Sequence, residues 1–445
     1  MTRRHLWLFC IATLGPTAAA GCFAPEPDAT SGPSETGDGD PTTGDGDPTT
    51  GDGDGDPTTG DGDPTTGDGD PTTGDGDPTG DGDPVEPMCG DGSVDPGELC
   101  LSDNPSVYAA GQTALRLGVG EFDQGAMGVA VAGRSTDISI LRGDGGGGLL
   151  PPEFVAVLGT TGSVAVGDVD NDGDDDFVAD GDPVTVARND GAGGWEDPLI
   201  EVDAGFLFDS YRIELGQIDG NAPLDLVFAE GYNTVWIPGQ MSGGWSPGQS
   251  GGHQFTGGDS WLTLTEFGFD GDGFTDLMVA SQWEPKVVFS RGQGNGTFTQ
   301  QGEAFVCNPG VCDILELHAV DLNGDDDPDI VASFDTGFSV VPSNGDGTYS
   351  DYQLHASPGA DHISSGDIDN DGDNDLVVAS RDDGDLRLFL NAGDGTFADP
   401  IVFPVAGDST RTTAMVDLDG DGAMELLTAY DYNGGGWVAV FEANP

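Results

Sequence analysis

Short runs of alternating or continuous apolar residues, each bounded by Gly, Asp or Asn, recur along most of this sequence. Between residues 362 and 405 there are four such runs, at His362–Ile368, Leu376–Ser380, Leu386–Asn391 and Pro400–Val405. Runs of this length with turn residues at both ends are typical of β-strands. No segment has a convincing helical period. The pattern therefore predicts an all-β protein.

The four-strand pattern belongs to a repeat. An acidic segment follows the first strand of each unit, and its seven copies begin at Glu121, Asp168, Gln217, Gly268, Asp321, Asp367 and Asp417. Consecutive copies are 46 to 53 residues apart. Seven units of four strands predict a seven-bladed β-propeller, in which radial stacking buries both faces of each sheet. The alternative is an open solenoid, which would need capping repeats at its ends.

The last repeat is one strand short. Its predicted strands are Leu426–Asp431 and Trp437–Glu442, after which no fourth strand follows. The missing strand has a counterpart at the other end, because Ser106–Gly111 resembles Ile401–Gly407, which precedes the last repeat. We therefore expect Ser106–Ala110 to complete the last blade and close the ring. This assigns residues 106–445 to the propeller.

The acidic segments have the spacing of a cation loop. Asp at positions 1, 3, 5 and 9, with Gly at position 6, presents the oxygen ligands that Ca²⁺ prefers, whereas Mg²⁺ fits an all-protein cage less well. A solvated acidic turn without an ion is the alternative. Three loops are complete: Asp168, Asp170, Asp172 and Asp176; Asp367, Asp369, Asp371 and Asp375; Asp417, Asp419, Asp421 and Glu425.

Two further loops are less regular. The fifth repeat offers Asp321, Asn323, Asp325 and Asp329, and the fourth retains Asp270, Asp272 and Asp276. Asp326 stands where the fifth loop would usually have Gly, and we expect Asp to tolerate the positive φ of that position. The first loop, with Glu121 and Asp123, and the third, with Asp219, Asn221 and Asp225, are eroded. The sequence thus predicts about three to five calcium sites, each made of hard oxygen donors.

Turns such as Gly393–Phe397 and Gly345–Tyr349 place an aromatic residue after a Gly-x-Gly sequence in several repeats, where it can pack between neighbouring sheets. Together with the Asp loops, these turns resemble the FG-GAP/VCBS repeat family, the calcium-loop β-propeller also found in integrin α subunits. The resemblance covers roughly residues 106–445. It implies a structural role for calcium and a ligand, protein or glycan, on a face or the rim of the propeller. A few related propellers are polysaccharide lyases.

The chain is strongly acidic, with 81 Asp and Glu against 12 Lys and Arg and a net charge of −69. This charge argues against a nucleic-acid partner or binding to an anionic lipid surface, since both are bound through Lys and Arg. Residues 22–88 are mostly Gly, Asp, Pro and Thr, and the part from residue 24 onward has 19 acidic and no basic residues. We expect a disordered tether with a mean reach of about 45 Å.

The first residues are typical of an export signal. Arg3 and Arg4 precede an apolar run, and Ala20-Gly21-Cys22 resembles the bacterial lipoprotein signal, in which the Cys carries the lipid. We therefore assign residues 1–21 to a signal peptide and expect lipidation at Cys22. Phe23 replaces the Asp that often retains lipoproteins in the inner membrane, which favours the outer membrane, facing either the periplasm or the exterior. An ordinary secretory signal with an incidental Cys is the alternative.

The other mature cysteines form two close pairs, Cys89 with Cys100 and Cys307 with Cys312. Close pairs in an oxidising compartment favour local disulfides, whereas a zinc site would need all four cysteines together. The first pair would staple residues 89–105, where the tether meets the propeller.

These features favour a lipid-anchored, calcium-stabilised binding or adhesion module with a glycan or protein ligand, and not an enzyme. One alternative is an extracellular polysaccharide lyase or hydrolase, for which His318 and His362 on predicted channel-lining strands are the best acid–base candidates. The sequence contains no Ser-His-Asp motif, phosphate loop or nucleotide fingerprint. A structural subunit of the cell envelope is the other alternative.

Overall fold

The computed structural model describes Cys89, residues 96–97 and residues 99–443, except for 112, 124–125, 182, 197–198, 203–212, 222, 231–232, 241–243, 246–248, 251–259, 266–273, 282–283, 309–312 and 408. The predicted signal peptide, Cys22 and the acidic tether lie outside the described residues.

The described residues form seven four-stranded antiparallel sheets, the blades of a propeller. The first strand, β1 (Ser106–Ala109), belongs to blade 7. Blade 1 contains β2 (Arg116–Asp123), β3 (Ala126–Ala132), β4 (Asp137–Arg142) and β5 (Glu153–Ala156). Blade 2 contains β6 (Val164–Gly167), β7 (Asp176–Ala179), β8 (Val184–Ala187) and β9 (Ile200–Val202).

Blade 3 contains β10 (Ile213–Gly216), β11 (Asp225–Glu230), β12 (Asn233–Ile237) and β15 (Gln249–Ser250). An additional hairpin, β13 (Gly239–Gln240) with β14 (Gly244–Trp245), interrupts this blade before its last strand. Blade 4 contains β16 (Ser260–Thr265), β17 (Asp276–Ser281), β18 (Lys286–Gly292) and β19 (Phe298–Phe305). The sequence did not predict the hairpin in blade 3.

Blade 5 contains β20 (Glu316–Val320), β21 (Asp329–Phe334), β22 (Gly337–Val341) and β23 (Gln353–Ala356). Blade 6 contains β24 (Ala360–Gly366), β25 (Asp375–Ser380), β26 (Asp385–Phe389) and β27 (Ile401–Pro404). Blade 7 contains β28 (Ser409–Val416), β29 (Glu425–Tyr432) and β30 (Gly435–Phe441), together with β1. The seven-bladed all-β prediction is confirmed.

The ring closes through blade 7. β1 pairs antiparallel with β30, with Ser106 opposite Val440 and Ala109 opposite Trp437. The predicted split blade is therefore confirmed, and the open-solenoid alternative is wrong. The closing strand comes from the N-terminal side of the propeller because the last repeat supplies only three strands of its own, β28, β29 and β30.

Apolar side chains from adjacent blades make the core. Between blades 4 and 5, Met278 and Phe289 pack in one buried cluster with Leu317 and Ile330. The aromatic residues of the Gly-rich turns join such clusters, as predicted: Trp195 of blade 2 lies 5.9 Å, centroid to centroid, from Phe122 of blade 1. Each interface thus depends on residues about one repeat apart.

The two faces of the propeller differ in their loops. The Asp loops connect the first and second strands of the blades, so they share one face, which we call the Asp-loop face. The first strands begin at the opposite face and lie along the central channel. His318 and His362 are on such strands, β20 and β24. His318 Nε2 is 2.7 Å from Ser365 Oγ, and His362 Nδ1 accepts a hydrogen bond from the Thr413 amide.

The stapled segment before the propeller also contacts this face. Cys89 and Cys100 form a disulfide with their Cα atoms 5.3 Å apart. The Gly97 amide donates to the Asp369 carbonyl at 2.7 Å, and Leu101 forms a β-bridge with Ala443. Cys307 is disulfide-bonded, and Cys312, its predicted partner, lies outside the described residues.

Candidate metal centres

The structure brings three groups of carboxylates together on the Asp-loop face. Within each group, one carboxylate oxygen per residue lies within 4.8 Å of the others. The groups are Asp168, Asp170 and Asp176 in blade 2; Asp367, Asp369 and Asp371 in blade 6; Asp417, Asp419 and Asp421 in blade 7. These are the three loops that the sequence predicts to be complete, and each contributes three of its four predicted ligands to the cluster.

The first Asp of each loop shapes the turn. Asp168 accepts hydrogen bonds from the amides of Asn171, Asp172 and Gly173 at 2.6 to 3.1 Å. Asp417 binds the amides of Gly420 and Gly422 in the same way, at 2.7 and 3.0 Å. These bonds curl the backbone so that the later carboxylates point to the same centre.

The sixth loop position requires a left-handed backbone. Gly173, Gly372 and Gly422 have φ values of 98°, 99° and 95°. In blade 5 the residue is Asp326, with φ of 68°. Asp tolerates this conformation better than most non-glycine residues because its short side chain can hydrogen-bond locally. The structure therefore accommodates Asp326 at this position, as predicted.

The ninth residue has a role that the ligand spacing does not reveal. Asp176 is fully buried, and its two oxygens accept from the Val169 amide at 2.9 Å and the Asn189 amide at 2.8 Å. Asp375 binds the Ile368 and Asn391 amides at 3.2 and 2.7 Å. The ninth carboxylate therefore fastens the loop to the end of the third strand.

The same bonding pattern extends beyond the complete loops. Asp225 in the eroded third repeat accepts from the Ile218 and Gly239 amides at 2.9 and 2.8 Å. Asp276 in blade 4 accepts from the Gly292 amide at 2.7 Å. This position thus serves the fold whether or not the rest of its loop has kept its carboxylates.

Burial perturbs these ninth-position carboxyls. Desolvation, opposed by the backbone hydrogen bonds and reinforced by neighbouring carboxylates, raises the pKa of Asp176, Asp375 and Glu425 to about 7. The same causes raise the pKa of Asp225 and Asp329 to about 6. A cation beside these groups would favour their ionised form, which burial alone disfavours.

The donor chemistry fits a hard divalent cation. Asp170 Oδ1 and Asp367 Oδ1 are buried and have no hydrogen-bond partner among the described residues. Burial and neighbouring carboxylates raise the pKa of both side chains. Unsatisfied carboxylate oxygens beside further carboxylates are the ligands that Ca²⁺ prefers. The three clusters are therefore candidate calcium sites.

The blade 2 cluster differs from the other two because it already has a cation. Arg188, at the end of β8, places Nη1 3.0 Å from Asp170 Oδ2. Leu390 has the equivalent position in blade 6, just before Asn391. The guanidinium neutralises part of the cluster and would repel a metal ion. The ligand spacing did not predict a role for Arg188, because Arg188 lies outside the acidic loop.

The other predicted ligands have varied environments. In blade 5, Asn323 Nδ2 donates to Asp329 Oδ1 at 3.3 Å, while Asp325 lies on the exposed turn. In blade 4, Asp270 and Asp272 lie outside the described residues. In the eroded loops, Asp123 is 3.4 Å from Arg142, and Asp219 accepts from the Asn221 amide at 2.9 Å.

Two buried asparagines link neighbouring loops. Asn391 Nδ2 of blade 6 donates to the Leu322 carbonyl of blade 5 at 2.8 Å and to the Asn374 carbonyl at 3.0 Å. Asn189 of blade 2 makes the same pair of bonds, to Phe122 of blade 1 and to Asp175. The ligand spacing does not predict these two residues, although each stands six residues before the aromatic residue of a Gly-rich turn.

Comparison with known proteins agrees with this architecture. The FG-GAP-like repeat family matches in three consecutive, overlapping segments, residues 268–332, 321–378 and 367–428. The matched segments run from blade 4 to blade 7 of the propeller. No curated protein matches this sequence.

Solved structures share the fold at low sequence identity. One is a lectin of Agrocybe aegerita that recognises non-reducing terminal N-acetylglucosamine, with 19% identity, a TM-score of 0.50 and coverage of 68% of this chain and 81% of the lectin. Another is BBS1N in complex with ARL6DN, with 12% identity, a TM-score of 0.52 and coverage of 77% and 96%. Within the part of the chain that the structure describes, no helix is long and apolar enough to span a bilayer.

Proposed function

We propose that the protein is a binding module of the bacterial cell envelope that holds a glycan on the rim of its propeller. In this proposal a lipid on Cys22 anchors the chain in the outer membrane, and calcium in the Asp loops stiffens the ring. The observation that carries the proposal is a groove between blades 4 and 5.

The groove has a volume of about 420 Å³. One wall comes from β19 and the residues after it, including Phe305 and Asn308, and the other from Tyr349, Asp351 and Tyr352 of blade 5. Phe305 is 51% exposed, so its ring is accessible to a ligand from solvent. The groove thus combines an accessible aromatic surface with polar side chains that bind hydroxyl groups.

This combination suits a sugar ring. The C–H faces of a pyranose can pack on an aromatic ring, while a carboxylate and an amide bind its hydroxyls. Tyr349 is held in place by an edge contact to Phe289, with ring centroids 4.9 Å apart, and by its hydroxyl, which donates to the Pro328 carbonyl. A rigid wall lowers the entropy cost of binding.

The charge of the groove narrows the class of ligand. Glu303 lies on one wall, where it accepts a hydrogen bond from Lys286 Nζ at 2.6 Å, and Asp351 lies on the other. One lysine against two carboxylates leaves the groove acidic, so it would disfavour uronates and sulfated sugars. We therefore expect neutral or amino sugars.

A glycan array with the calcium-loaded protein tests this proposal. Phe305→Ser and Asp351→Asn should each reduce retention on the positive glycans at least tenfold. The control is Phe154→Ser, because Phe154 is 55% exposed on β5, away from the groove. Retention of no glycan, or equal losses in all three variants, would refute the glycan role. Turnover of a polysaccharide in parallel assays would favour the enzyme alternative.

The anchoring proposal has its own test. The wild-type protein, expressed with its signal, should fractionate with outer membranes, and Cys22→Ala should release it into the soluble fraction. A Cys22→Ala variant that stays with the membrane would contradict lipid anchoring without affecting the groove.

A further inference from the structure

A second cavity lies in the central channel, near the end that faces away from the Asp loops. It has a volume of about 340 Å³ and is lined by β2, β6 and β10, together with His362 of β24. Arg116, the first residue of β2, is part of the lining. The cavity is separate from the rim groove and from the metal clusters.

The Arg116 guanidinium is a charge without a close partner. Its Nη1 donates to the Leu115 and Arg411 carbonyls, both at 3.0 Å, while Nε is buried without a hydrogen bond. No carboxylate of the described residues lies within ion-pair distance of it. Burial lowers the pKa of Arg116, and the more distant Asp361 opposes that effect. A buried charge without a counter-ion is costly, so an anion bound beside the guanidinium would stabilise it.

The nearby carboxylate is shared among several arginines. Asp361 Oδ1 is 3.7 Å from Arg381 and Asp361 Oδ2 is 3.7 Å from Arg411. Arg381 also pairs with Asp335 and Asp382, at 2.6 and 3.7 Å. Glu214 of β10 lines the cavity too and has an interaction of its own. Of the three arginines Arg116, Arg381 and Arg411, only Arg116 has no carboxylate of the described residues within ion-pair distance.

The backbone adds hydrogen-bond donors. β2, β6, β10 and β24 are each the terminal strand of their sheet. A terminal strand is paired along one edge, so its other edge presents unpaired N–H and C=O groups. In a propeller that edge faces the channel. An oxyanion in the cavity could accept hydrogen bonds from Arg116 and from these amides together.

We propose that this end of the channel is a binding site for a small oxyanion, a carboxylate or sulfate group on a ligand no larger than a monosaccharide. The anion pairs with the Arg116 guanidinium in the channel. The site is distinct from the rim groove, whose acidic walls favour neutral sugars. The proposal does not depend on whether that groove binds a glycan.

Calorimetric titration of the calcium-loaded protein with sodium glucuronate and sodium sulfate, at constant ionic strength, tests the site. Glucose replaces glucuronate as the uncharged probe. We compare the wild type with Arg116→Gln and with Arg134→Gln, since Arg134 is an exposed arginine in the same blade. Thermal unfolding with and without each anion gives a second measurement and checks that the variants fold.

The wild type and Arg134→Gln should bind at least one of the two anions with one site per chain. Glucose, a neutral sugar that the rim groove could hold, should not compete with the anion and should behave the same with the wild type and Arg116→Gln. Arg116→Gln should weaken that binding at least tenfold and lose the anion-dependent rise in melting temperature. Binding of glucuronate alone would assign the site to carboxylates, and binding of sulfate alone to sulfates. Absence of saturable binding to the wild type, or equal affinity in folded Arg116→Gln, would overturn the proposal.

Discussion

The loss of one interblade asparagine should measurably destabilise the whole ring. Asn391 is buried, and its side-chain amide donates to two carbonyls, one in its own blade and one in blade 5. Its Oδ1 also accepts from the Gly395 amide at 3.1 Å. Asn391→Ala removes all three bonds and leaves the buried carbonyls without these donors.

Each lost bond is worth about 1 kcal/mol, so the free energy of unfolding should fall by about 2–3 kcal/mol. Unfolding entropy near the midpoint is about 2.1 cal/mol/K per residue, which gives about 0.7 kcal/mol/K for a ring of roughly 340 residues that unfolds as a unit. The melting temperature should therefore fall by about 3–4 °C.

Scanning calorimetry at fixed calcium and pH measures the shift. Asn295→Ala is the matched control, because Asn295 is an exposed asparagine in the Gly-rich turn of blade 4 whose side chain bonds, among the described residues, only to Thr297. The control should change the melting temperature by less than about 1 °C. A shift of that small size in Asn391→Ala as well, or equal shifts in both variants, would refute the view that this amide joins the blades.

Three further predictions concern the metal clusters. Millimolar Ca²⁺, at a hundredfold excess over Kd, should raise the free energy of unfolding by about 2.7 kcal/mol per site relative to EDTA, and the melting temperature with it. Coincident melting curves would count against bound calcium. Without calcium, the melting temperature should fall as the pH rises from 5.5 to 8. Asp176, Asp375 and Glu425 have folded pKa values of about 7, above their unfolded values, so the stability that they contribute at low pH is lost as they ionise. Calcium should flatten this dependence, and a calcium-free profile that rises with pH would contradict it. Arg188→Leu, which introduces the residue of blade 6, should tighten one calcium site about fivefold by calorimetric titration, because it removes a partly screened positive charge; an unchanged or weaker affinity would show that the guanidinium does not oppose the metal.

The sequence predicted the features that depend on local pattern. The seven-fold period, the split blade and the position-6 turn conformation each follow from residues within one repeat or from the comparison of two repeats. The Asp clusters form where the spacing placed them because the first carboxylate of each loop organises its own turn. Asp326, with its positive φ, is an example of a local prediction that the structure bears out.

The missed features depend on contacts between repeats. Asn391 reaches Leu322 across 69 positions of sequence, a pairing that only the placement of adjacent blades creates. Arg188 approaches Asp170 because two strand ends meet on one face. Arg116 lies in the channel because several first strands converge there. The spacing of residues within one repeat does not predict these contacts.

The ninth loop position shows that ligand spacing alone does not establish a metal ligand. Its carboxylate has the right spacing for a ligand, and Asp176 joins its cluster, but Asp375 and Glu425 are not members of theirs. Backbone amides engage the carboxylates of all three residues, whether or not they join a cluster. The residue at this position therefore has the spacing of a metal ligand and also stabilises the fold.

The pairing of β1 with β30 determines when the ring can close during synthesis. β1 must wait for β30, whose partner residues are made more than 300 positions later, so the two ends of the ring can join only once β30 has been synthesised. Until then, blades 1 and 6 each have a side face with no neighbour, and those apolar surfaces are open to aggregation. A chain that stops before β30 would lack the partner that β1 needs, so closure of the ring requires that synthesis has passed this strand.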